Sequence, residues 1–111
     1  MNSTVLTKEI TTFQPQGYVS AANVDEFLSE LTEVIRSDST SALLVNMQDV
    51  EFMDSAGLMA LIKGFRLAQS LNKSFSICSV APSVKIVFEL TQLDNVFEIL
   101  DNGQEFEANA A

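Results

Sequence analysis

Two neighbouring side chains carry oxygen at a point in the chain where oxygen has chemistry to do. Asp54 and Ser55 stand between an apolar run, Ala42-Leu43-Leu44-Val45-Asn46-Met47, and a periodic pattern made by Leu58, Leu61, Ile62, Phe65 and Ala68. The run reads as a buried strand, and the pattern has the spacing of one helix face. A short oxygen-bearing side chain at such a junction caps the helix, because the first N–H groups of a helix have no partner within it. Ser55 then falls in the first turn, with its hydroxyl toward solvent at the positive end of the helix dipole. An anion is favoured there, so this hydroxyl is suited to carrying a phosphate. Capping alone also accounts for an Asp-Ser pair at a helix start, and from the local pattern it is the commoner explanation. The functional reading rests on the rest of the chain.

Other chemistries fall away quickly. The 111 residues include no histidine, so a Ser-His-Asp triad is impossible. The single cysteine, Cys78, cannot form a disulfide within the chain, and His/Cys metal sites are excluded. An acid–base pair would rest on Asp54 with Glu51; without a metal-ligand partner or a cleft, these read as capping or solvated carboxylates. The expectation is a binding protein without a cofactor and not an enzyme. Fifteen acidic residues against six basic give a net charge of −9. That charge opposes contact with the phosphate backbone of nucleic acid and with an anionic membrane surface. No run approaches the length of a transmembrane helix, and the N-terminus lacks a signal-peptide profile. A cytoplasmic protein is expected.

The elements that must position Asp54 and Ser55 can be read in order. With 47% hydrophobic residues, the chain suits one domain over 1–111, its core spanning about 4–100 before an acidic tail at 101–111. Residues 4–13 are rich in β-branched types and read as an edge strand. Gln14-Pro15-Gln16-Gly17 is a turn, and Tyr18-Val19 a very short strand. Asn23, with Glu26 three residues on, predicts a helix opened by a capping box. Val24, Phe27, Leu28, Leu31, Val34 and Ile35 form its apolar face. Residues 75–80 read as a strand holding Cys78 as a small buried hydrophobe. Pro82 opens a third helix with Val84, Val87, Phe88 and Thr91 inward and Ile86 and Leu90 flanking. Residues 96–100 make a last strand.

The order β-β-α-β-α-β-α-β implies an α/β fold: a mixed, mostly parallel sheet of about five strands with three to four helices. The short turn at 14–17 predicts that the first strand runs antiparallel. Sites in such sheets gather where strand ends meet helix starts. Two junctions qualify, 19–24 and 50–58. If their strands are neighbours, Ser20, Asn23, Asp54 and Ser55 share one end of the molecule; periodicity does not fix the strand order.

Asp54-Ser55-Ala56-Gly57-Leu58, following Leu43-Leu44-Val45-Asn46-Met47, resembles the STAS domain of bacterial anti-sigma factor antagonists. Gly17-Tyr18-Val19-Ser20 resembles the Gly-x-x-Asp turn before that family's first helix. Ala81-Pro82-Ser83-Val84-Lys85 and Leu90-Thr91-Gln92-Leu93 resemble its third-helix entry and exit. The likeness covers roughly residues 4–100. It implies a partner switch, a single phosphorylation site at Ser55, and a partner-binding surface drawn from Ser20, Asn23, Asp54, Ala56, Gly57, Leu58 and Met59. The implied partners are an anti-sigma factor that is also a serine kinase of the histidine-kinase-like ATPase class, and a PP2C-type phosphatase that resets the switch. A second role known for the family is a non-switching STAS subunit of a larger assembly, such as a lipid-transport complex or a stressosome.

Some positions depart from the family pattern. Ser20 stands where an aspartate is usual, so a partner arginine would lose a charge-assisted bond. Ala56 replaces a frequent second hydroxyl residue, leaving Ser55 as the motif's acceptor. Met59 replaces a frequent glycine, and Gln92 a common C-capping glycine, which loosens the third helix end.

Overall fold

Two apolar runs form the middle of the sheet. All of residues 42–45 and 75–78 are buried, as expected of parallel strands covered on both faces. The computed structural model describes residues 10–101, so the expected strand residues 4–9 and tail residues 102–111 lie outside the described residues. The strands are β1 (Ile10–Phe13), β2 (Gly17–Val19), β3 (Ala42–Asn46), β4 (Val50–Met53), β5 (Ser74–Cys78) and β6 (Glu98–Leu100). The helices are α1 (Val24–Arg36), α2 (Ser55–Ser70) and α3 (Pro82–Leu90), followed by a 3-10 turn at Leu93–Asn95. A four-stranded sheet has the order β1-β3-β5-β6, and β2 and β4 form a separate pair. Every pairing is parallel.

The α/β fold is as the sequence implies, but two details differ. β1 was expected to run antiparallel; among the described strands it lies at an edge, as expected, yet it runs parallel to β3 with Ile10 opposite Ala42 and Phe13 opposite Val45. The segment at residues 14–16 does not reverse the chain. It carries the chain forward, so that β2 runs beside β4 just as β1 runs beside β3. Gly17 N–H donates to the Asp49 carbonyl (2.8 Å), and the Gln14 amide donates to the Asp49 carboxylate (2.9 Å). These bonds tie the two forward steps together. The second difference is β4 itself, a strand absent from the expected order. Its burial runs buried, exposed, exposed, buried, and a register shift between Gly17 and Tyr18 breaks the period of two by which strands are recognised.

Helices α1 and α2 pack against each other and cover one sheet face. α1 buries Phe27, Leu31 and Ile35, at the spacing expected of one apolar stripe. Leu31 and Ile35 are fully buried, which contributes about 1.5–3 kcal/mol each relative to exposure. Gly64 of α2 sits where the helices meet; a Cβ there would lie 2.6 Å from Leu31 Cδ2, so the small residue sets the helix separation. Phe65 meets Phe75 and Phe97 edge-on, with ring centroids 5.8 and 5.6 Å apart, and Phe97 also packs on Phe88 of α3. Strand alternation puts a smaller cluster, Ala42, Leu44 and Cys78, on the other sheet face with Ile10 and Leu100 against it. Cys78 is fully buried, as its place in the strand suggests.

The helix ends are closed by specific bonds. At the end of α2, Lys73 N–H donates to the Ala68 carbonyl and Asn72 N–H to the Gln69 carbonyl, with Asn72 left-handed at φ 58°. This is the paired arrangement of a Schellman end. The Lys73 ammonium then reaches across to the Ile35 and Ser37 carbonyls at 2.6 and 2.8 Å. A cation at the negative end of α1 adds to its stability.

At the end of α3, Gln92 takes the left-handed conformation at φ 61°, ψ 19°. The left-handed conformation is the one a C-capping glycine supplies, and a side chain there costs about 1–2 kcal/mol. Glycine gives back about 0.4–1 kcal/mol by loosening the unfolded chain. Gln92→Gly should therefore stabilise the fold by about 0.5–1 kcal/mol, read as a higher urea midpoint at unchanged slope.

Candidate functional site

The β2–β4 pair brings the two strand–helix junctions together. Val19 lies opposite Met53, so each strand delivers its next residues to the same end of the molecule. Asp54 N–H continues the pairing by donating to the Val19 carbonyl (3.1 Å). Asp54 is the N-cap of α2: its Oδ1 accepts from Gly57 N–H at 3.1 Å. Its Oδ2 accepts from Ala21 N–H, also at 3.1 Å, in the turn before α1. One carboxylate thus holds both junctions. These bonds to the charged form, first from Gly57 and then from Ala21, hold the Asp54 carboxyl below its ordinary value of 3.8.

Gly57 makes this approach possible. A Cβ on it would meet Met53 Cγ at 2.5 Å and the Val19 carbonyl oxygen at 3.0 Å. A backbone oxygen cannot move aside as a side chain can, so the first turn of α2 rests directly on β2. Gly57 and Leu58, both expected at the partner surface, are buried. In the free chain they seat the helix. Ala56 is half-buried.

Ser55 is exposed at the first residue of α2, as its place after a capping Asp predicts. Among the described residues its hydroxyl has no hydrogen-bond partner, because Asp54 takes the capping role. Met59, one turn on, is 52% exposed and therefore not core filler. It borders a shallow groove between α1 and α2 lined by Val24, Leu28 and Ala60, with Asp25 and Lys63 also on it.

The Asn23 side chain does different work from the capping box its spacing implies. It makes no cap bond to α1. Its Oδ1 accepts from Ser20 N–H (2.9 Å) and its Nδ2 donates to the Tyr18 carbonyl (2.8 Å). The Ser20 hydroxyl accepts from Ala22 N–H at 3.3 Å. Asn23 therefore fixes the turn at 18–23, and Asp54 fixes that turn to α2. Ser20, Asn23, Asp54 and Ser55 do share one end. The Ala21 N–H was not foreseen, since a backbone donor leaves no mark in side-chain chemistry.

No group of three or more Cys, Asp and Glu side chains among the described residues is placed to hold a metal ion. No described helix is long and apolar enough to cross a membrane.

The STAS domain family model matches residues 3–106. The chain belongs to the STAS domain family. An anti-sigma-B factor antagonist of Staphylococcus aureus is 29% identical over 80 residues, covering 72% of this chain and 73% of the relative. Among solved structures, an anti-sigma factor antagonist from Mycobacterium paratuberculosis superposes with a TM-score of 0.83 at 19% identity, covering 94% of this chain and 87% of that one. The phosphorylated form of the Bacillus cell fate determinant SpoIIAA superposes with a TM-score of 0.68 at 16% identity, covering 92% of each chain. At these identities the superpositions establish the shared fold.

The Asp54 bonds give this STAS domain a defined acid response. A carboxyl lowered on folding adds stability that is complete above its unfolded value near 3.8 and is lost as pH falls through the lower folded value. Asp54→Ala should melt below the parent chain at pH 7, and the gap should narrow as pH drops below 3.8. Thermal melts of both proteins between about pH 3 and 7 check this.

Proposed function

We propose that this STAS domain is an anti-sigma factor antagonist whose binding is switched by phosphorylation of Ser55. Unphosphorylated, it sequesters an anti-sigma factor that is also a serine kinase of the histidine-kinase-like ATPase class, and a sigma factor is freed. Phosphorylated, it lets go, and a PP2C-type phosphatase resets it in the cytoplasm. The observation that carries this reading is the exposed, unpartnered Ser55 hydroxyl on the first turn of α2. Support also comes from the Staphylococcus relative, which is named an anti-sigma-B factor antagonist.

The local chemistry suits such a switch. A kinase needs an accessible hydroxyl on a fixed backbone. Asp54, Gly57 and the β2–β4 pair fix the backbone, while the hydroxyl is left free. The contact surface then comprises Ser55 and Met59 with Ser20, Asn23, Asp54 and Ala56 around them, seated on Gly57 and Leu58. Ser20 offers a hydroxyl where a carboxylate is usual, so contacts elsewhere on the surface carry more of the affinity.

Incubation with a purified anti-sigma factor kinase of the genome encoding this chain, and ATP, should add one phosphate, at Ser55. Phosphopeptide mapping checks the position; modification at Ser20, Ser79 or Ser83 overturns the assignment. Ser55→Ala should abolish labelling and retain kinase binding. Met59→Asp should weaken that binding about tenfold or more with little change in melting temperature, since the side chain is exposed.

A further inference from the structure

Beside the serine lies an apolar surface that the switch reading does not use. Tyr18 and Phe52 are register partners across β2 and β4, so their side chains leave the same face of the pair. Val19 and Met53, the next residues, point to the core. Tyr18 is 62% exposed and Phe52 41%. The Ser83 hydroxyl donates to the Glu51 carbonyl at 3.2 Å, which docks the start of α3 beside this strand. Ile86 and Leu90 follow Ser83 on the same side of the helix, at three and seven residues' spacing, and are 54% and 79% exposed. Single exposed apolar residues are ordinary, but four on three adjoining elements, β2, β4 and α3, are not.

The charges on and next to these elements are mostly of one sign. Glu51 is exposed on β4 next to Phe52, Asp54 follows the end of β4, and the exposed Glu89 and Asp94 lie on α3 and in the turn just after it. Lys85 is the one cation on α3. A second copy of this chain would bring the same carboxylates and a net charge of −9 against them, so self-association is opposed.

We infer that Tyr18, Phe52, Ile86 and Leu90 form a docking surface for a protein with an apolar contact ringed by Lys and Arg. The inference rests on the switch reading: this partner is the kinase that takes Ser55, and its footprint runs from Ser55 along β4 onto α3. Aromatic anchors in a ring of complementary charge are the usual source of affinity at such surfaces.

The test uses the full chain and each purified anti-sigma factor kinase of the same genome, with titration calorimetry at low and high salt. The variants are Tyr18→Ser with Phe52→Ser, Leu90→Ser, and Glu51→Lys with Glu89→Lys. The aromatic double variant should bind at least tenfold more weakly and Leu90→Ser severalfold more weakly, with melting temperatures close to the parent's. The charge variant should lose the salt dependence of binding. If the parent binds and is released on Ser55 phosphorylation while all three variants bind as tightly as it does, the inference falls and the switch stands. If the parent binds no kinase, both fall. Sedimentation of the chain alone showing a dimer that Phe52→Ser dissolves assigns the surface to a second copy and overturns the inference.

Discussion

A single carboxylate holds this molecule's functional end together. Asp54 accepts one hydrogen bond from the first turn of α2 and another from the turn that precedes α1. The two turns are 33 residues apart in sequence, and this carboxylate joins them directly, beside the strand pairing and the packing of α1 on α2. Charge-assisted bonds of this kind are stronger than neutral ones and hold their geometry better. Behind the carboxylate, the parallel pairing of β2 with β4 supplies the coarse alignment, and Gly57 supplies the close approach. Remove any of the three and Ser55 is no longer presented on a fixed backbone beside Ser20 and Asn23.

On the proposed switch, the same arrangement would separate what a phosphate does to binding from what it does to folding. Because Asp54 already caps α2, phosphate on Ser55 is not needed to complete the helix. It would gain about 0.3–1 kcal/mol from the helix N-terminus. The neighbouring Asp54 carboxylate opposes it as a like charge. The scaffold around the serine is rigid on one side, where α2 rests on β2, and open on the other, where Met59 and the α1–α2 groove face solvent. A modification there alters the surface offered to a partner while the core of Leu31, Ile35, Leu61 and Phe88 is untouched.

Much of this was legible in the sequence. The buried strand before Asp54, the helix after it, the exposed Ser55 and the buried Cys78 all follow from runs and periodicities local to a few turns. What was not legible depends on contacts between distant residues. β4 has no alternation because its register slips beside Gly17. β1 reads as half of a hairpin because residues 14–17 look like a turn, and only the bonds to Asp49 show the chain stepping forward. Asn23 satisfies the spacing of a capping box, yet its amide is used by the turn before it. Gly57 and Leu58 share a motif with Ser55 but face inward, a distinction that motif membership cannot make.

The central claim is that phosphate on Ser55 breaks partner binding without disturbing the fold. The modification adds about −1.5 to −2 charges at neutral pH. In a kinase active site that charge is desolvated against the nucleotide phosphates, where juxtaposed like charges cost several kcal/mol. Titration calorimetry of the kinase against the unphosphorylated and Ser55-phosphorylated chain, with thermal melts of the same two samples, tests it directly. The account predicts an affinity at least tenfold lower after phosphorylation, which needs only about 1.4 kcal/mol, and a melting temperature moved by no more than a few degrees. Equal affinities with a collapsed melting temperature would contradict it, and would make Ser55 a structural residue of the helix start.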